Sequence, residues 1–199
     1  MTTPTHRLHS TAVNAARHTR ADIPVGEDHP IVLLAAGHEA MLSIVLDDVG
    51  LAVSLAETVA AIVALRGITI VLDAYYCAQP LDAHPGEGEL EDRYASGDPQ
   101  VLDALQVLTV LQGGTLYSTT LPYRPRGDRI VWDLPVEPPP SQVAGFAGRI
   151  PDGLRLAMLV EPKAPPDDLG QPVPEATRLE LTAFALRMVG LTADVIDLP

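Results

Sequence analysis

LQVLTVLQGGTLYSTTLPY, residues Leu105–Tyr123, decides the fold. Leu105–Leu111, mostly apolar and of strand length, reads as a strand. Gly113-Gly114 then supplies two turn positions that tolerate positive φ, a strong hairpin signal. Thr115–Tyr123 alternates Leu116, Ser118 and Thr120 against Tyr117, Thr119 and Leu121, as a half-exposed strand does. The turn Arg124–Asp128 leads into a further strand over Arg129–Asp133. Antiparallel pairing follows, because turns this short join only neighbouring antiparallel strands.

Upstream, Ile68–Ala78 is β-branched and aromatic and makes the clearest single strand. Asp73 interrupts it. A carboxylate inside such a strand either has a perturbed pKa or accepts hydrogen bonds from a neighbouring backbone, and the second is the commoner case. Further upstream, Val49–Leu65 reads as a helix capped by Asp47 or Asp48 and ended by Gly67, apolar around almost its whole circumference. Ile31–Ala36 and Glu39–Leu46, joined through Gly37-His38, read as a hairpin, with one helix through Ala35-Ala36 as the alternative. Downstream, the prolines of Leu134–Pro140 break the pattern. An apolar run at Leu154–Val160, a Pro-rich connector at Pro162–Pro174 and a helix at Glu175–Val189 follow. The expected fold is therefore α+β: an antiparallel sheet of about five strands, one long buried helix and a C-terminal strand–helix extension. Residues 1–22 form a basic arm, 23–135 the core domain, and 136–199 a linker and extension packed on the core or on a partner.

Composition narrows the function. The chain has 199 residues, 47% of them apolar, enough for a core of Val, Leu, Ile and Ala, since aromatics are only 4%. The net charge of −13 argues against bulk nucleic-acid binding, which needs a phosphate-neutralising surface. Cys77 stands alone, which excludes an internal disulfide, and no apolar segment reads as a signal peptide or membrane span. The expectation is a cytoplasmic protein without a cofactor. Charge is unevenly spread: Arg7, Arg17 and Arg20 precede the first acid, Asp22, so the chain from there on carries −16. Such an arm reads as a solvated tail with a short helix over Ser10–Arg20, or as a segment that docks onto the acidic body of another subunit.

Two groups of residues are candidate sites. Tyr123, Arg124, Arg126 and Arg129 make the basic cluster of the core, and guanidinium groups so placed suit an anion or a carboxylate. The acidic loop from residue 79 to residue 100 holds Asp82, His84 and Asp98, an imidazole-plus-carboxylate set suited to a metal. Asp82-Ala83-His84-Pro85 and Ser96-Gly97-Asp98, with Glu39 upstream, partly resemble the His-x-His-Pro and Ser-x-x-Asp signature of the JAMM/MPN metalloprotease family. That resemblance implies zinc-dependent hydrolysis. Asp82 stands where the family has its first histidine, and the Ser–Asp spacing is one residue short. The leading expectation is instead a non-enzymatic interaction or structural module that self-associates through complementary patches. A small metal-dependent hydrolase is the alternative.

Overall fold

The computed structural model describes residues 4–77, 89–137, 149–163 and 171–198. In chain order these form α1 (Pro4–Asp22), β1 (Ile31–Ala36), β2 (Ala40–Leu46), α2 (Val49–Ile62), β3 (Gly67–Cys77), α3 (Glu89–Ala95), β4 (Val101–Leu111), β5 (Leu116–Arg126), β6 (Arg129–Trp132), α4 (Arg149–Ala157), α5 (Glu175–Met188) and β7 (Thr192–Asp197). The strands make one sheet in the order β6-β5-β4-β3-β1-β2-β7, and every pairing is antiparallel.

The α+β class and the single antiparallel sheet are as the sequence indicates, but the element count is not. The described residues hold seven strands and five helices rather than about five strands and one long helix. The run expected as a C-terminal strand is helical, because Ile150, Leu154 and Ala157 recur at helical spacing and face the core together. The C-terminal strand is β7, after α5, where aspartates obscure any strand signal. The acidic stretch also carries regular structure among the described residues: α3 occupies residues 89–95, and β4 begins at Val101 rather than Leu105.

Alternation along each strand sends side chains to opposite faces, and both faces are covered. On one, Leu33, Leu42, Ile44, Ile68 and Ile70 pack beneath α2, α4 and α5. On the other, α1 lies across β3, β4 and β5, with Ala12 and Ala16 packed among Val71, Leu105, Val107 and Leu121. The segment read as a basic arm is thus a helix seated on the chain's own sheet.

Local chemistry explains the joints. Asp48 caps α2 by accepting the Gly50 N–H at 2.7 Å. Expected to be almost wholly buried, α2 instead buries one face (Ala52, Ala56, Val59 and Ala60) and leaves Leu51 47% exposed. Those small residues bring it close to the sheet. Gly153 likewise lets α4 approach α2, since a Cβ there would fall 2.6 Å from Val53 Cγ1. The β1–β2 segment is a hairpin, closed by Gly37 N–H to Ala40 O at 2.9 Å. Glu175, the first residue of α5, fastens its turn by accepting the His38 and Glu39 N–H groups at 2.6 and 3.0 Å.

Candidate functional site

The site arises from a mismatch in strand length. β1 has six residues and β3 eleven, and their pairing runs from Ala36–Gly67 to Val32–Val71. Pro30, which has no N–H to offer a ladder, precedes β1. From Leu72 onward, β3 is therefore paired only with β4 among the described residues, and the sheet has a notch. The lead-in to β1 crosses that notch. Its His29 N–H donates to Asp73 Oδ2 at 2.5 Å, so the carboxylate within the strand does accept a backbone hydrogen bond.

A cleft of about 580 Å³ opens here. Its polar lining is Asp28, His29, Asp47 and Asp73, and Leu46, Val49, Leu72 and Ile150 form its apolar wall. His29 is only 4% exposed. Its Nδ1 lies 2.6 Å from the Pro30 carbonyl oxygen, which can only accept, so Nδ1 carries the proton and Nε2 presents a bare lone pair. Burial holds this imidazole below its ordinary pKa. The Pro30 hydrogen bond opposes that shift, and the charge of Arg20 adds to it.

Asp73 is displaced the other way. Burial raises its carboxyl to about 6, the His29 N–H and Arg20 pull it down, and Asp28 and Asp103 push it up. Arg20 arrives from the last turn of α1. It is 3% exposed, donates from Nη1 to Ile23 O at 3.2 Å, and sets its guanidinium carbon 4.8 Å from the Tyr123 ring centroid. Arg20 Nε, His29 Nε2 and Asp73 Oδ1 are buried without a hydrogen-bond partner; Arg178 Nε is the other such atom among the described residues. Three of four unmatched atoms in one electrostatically coupled group is a concentration that stability alone does not favour.

The sequence-derived candidates are placed as follows. Tyr123 is buried under α1 and meets Trp132 edge-on, with centroids 5.4 Å apart. Arg124, Arg126 and Arg129 are exposed on the β5–β6 hairpin, and strand alternation puts Arg124 and Arg126 on the face opposite Tyr123. Arg126 and Arg129 are register partners, whereas Arg124 pairs with Asp133 at 3.3 Å. The structure therefore separates the tyrosine from the three arginines. Asp98 is bound by Arg93 at 2.8 Å and accepts the Gln100 N–H at 2.9 Å. Asp82 and His84 lie outside the described residues. Among the described residues no three His, Cys, Asp or Glu side chains come together as a metal-holding group, and no helix is long and apolar enough to cross a membrane.

Asp73 was visible in the sequence; Asp28, His29, Asp47 and Arg20 were not. The available signal was a His-Pro pair opening an apolar strand, too common a pattern to single out. No protein-family model matches the chain, and no curated protein or solved structure matches it at a significant level.

Proposed function

We propose that the protein is a non-enzymatic interaction module that self-associates, two copies joining edge to edge along β7. The carrying observation is an apolar stripe beside an open strand. α5 turns Leu179 and Ala183 inward, yet Leu181, Phe184 and Met188 stand 61%, 57% and 72% exposed along its outer side. Contiguous exposed apolar residues at helical spacing mark a contact surface more often than chance scatter does.

β7 ends the sheet next to this stripe. Leu198 N–H donates to Glu39 O at 2.9 Å, and the β2–β7 register carries that phase along the strand. Thr192, Asp194 and Ile196 therefore turn their backbone groups toward β2, and Ala193, Val195 and Asp197 turn theirs outward. A two-fold pairing centred on Val195 sets Ala193 of one copy against Asp197 of the other and brings the two α5 stripes together on one face. Charge fits this arrangement. Arg187 Nη1 sits 2.6 Å from Ala193 O, at the place where the second copy's Asp197 would arrive, and only 3.7 Å from its own Asp194.

Sedimentation velocity tests the reading. A dimer is expected, weakened at least about tenfold by Phe184→Glu and by Val195→Pro. Added salt should leave it intact, because it screens the mutual repulsion of two acidic chains and does not weaken apolar contact. A monomer at every concentration, or a dimer indifferent to both substitutions, would sink the proposal. The hydrolase alternative gains no comparable support: its described member, Asp98, is engaged by Arg93 and by the Gln100 N–H.

A further inference from the structure

We propose that the cleft between β3, the lead-in to β1 and the start of α2 binds a small organic cation, a primary alkylammonium carried on an apolar body. The chemistry of the lining selects this class. Three carboxylates, Asp28, Asp47 and Asp73, exclude an anion, and the net charge of −13 draws cations toward the surface.

The uncommitted atoms sharpen the choice. His29 lines the cleft while 4% exposed, with its Nδ1 and backbone N–H already engaged by Pro30 O and Asp73 Oδ2. Its remaining polar atom, Nε2, has no partner, and neither has Asp73 Oδ1. Both are acceptors in their resting states: a lone pair on a neutral imidazole and a carboxylate oxygen. An ammonium group brings three donors and a positive charge, the chemical complement of two unmatched acceptors.

The other wall decides between a bare ion and an organic one. Leu46, Val49, Leu72 and Ile150 are groups that a hydrated metal ion leaves unused but an alkyl chain covers. The described residues bring no three metal-ligating side chains together, and about 580 Å³ is the volume of a small-molecule pocket. Among the described residues, Arg20 is the cation whose charge reaches both His29 and Asp73. It lies over Tyr123 and is not part of the cleft lining.

Titrating the full-length chain with n-butylammonium chloride, with n-butanol as the uncharged isostere and with magnesium chloride, tests this by calorimetry and amide chemical shifts. Saturable butylammonium binding is expected, at least tenfold tighter than butanol, with the largest shifts at His29, Leu72 and Asp73. Asp73→Asn and His29→Leu should each weaken it by tenfold or more while unfolding in a single cooperative transition. Equal binding of butanol and butylammonium, an affinity indifferent to both substitutions, or a response to magnesium alone would overturn the proposal. Repeating the titration in Phe184→Glu keeps the result independent of self-association.

Discussion

Two buried histidines sit at opposite ends of one helix's footprint, and their surroundings differ in kind. His9, near the start of α1, is 5% exposed, with Nδ1 and Nε2 each 2.8 Å from a hydroxyl, those of Thr109 and Thr119. Thr109 continues to Thr69 at 2.8 Å, and the imidazole stacks on Tyr117. Every ring nitrogen there has a protein partner. His29 lies in the group that Arg20 joins at the far end of the same helix, and there each member keeps an unmatched atom. A matched buried polar network fixes helix to sheet. An unmatched one costs stability without adding rigidity, which is why it is the better place to look for a ligand.

The largest expected effect falls at the matched end. His9→Leu fills much of the imidazole's space but leaves the Thr109 and Thr119 hydroxyls short of a partner beneath α1. It should destabilise the protein by about 2–3 kcal/mol. Urea unfolding measures this directly. A cost under about 0.5 kcal/mol, the range of an ordinary surface substitution, would mean that the threonine network does not hold the helix, and the contrast between the two ends would fail. His29→Leu should cost less, about 1 kcal/mol, because it gives up one hydrogen bond to Pro30 O while removing an unmatched buried nitrogen. If it proves as damaging as His9→Leu, the second cluster is structural too.

The contrast also shows what the sequence reveals. The β4–β5–β6 meander was legible because each strand carries its own period and Gly113 and Gly114 both take positive φ, at 91° and 82°. Asp73 was legible because a carboxylate in a β-branched strand needs a reason. The helix of α1 was legible over Ser10–Arg20, but its seating on the sheet was not: its buried side is built on Ala12 and Ala16, and alanine stripes in a polar segment resemble a solvated helix. Its docking depends on His9 meeting threonines 100 and 110 positions away. The cleft was illegible for a related reason. It exists because β1 stops short of the end of β3, and that is a property of pairing, not of either strand alone. The part of the acidic loop that holds Asp82 and His84 lies outside the described residues.

The smallest effect discriminates most finely. Asp73 has its carboxyl raised to about 6, from an ordinary value of 3.8, among His29 and Asp28 of the lead-in, Arg20 of α1, Asp103 of β4 and Tyr123 of β5. Because the folded chain holds this proton more tightly than the unfolded one, the associated stability is fully present below about pH 3.8. It is lost as pH rises through about 6, where the ionised carboxylate carries its desolvation cost. Asn keeps an oxygen for the His29 N–H but never ionises. The stability of Asp73→Asn relative to the native chain should therefore be about 1 kcal/mol more favourable at pH 8 than at pH 4, a figure reduced to allow for solvent reaching this half-buried group. Thermal melts across that range provide the measurement. A relative stability that does not change with pH would show Asp73 to be as well matched as His9, and the notch in the sheet would then be a seam rather than a site.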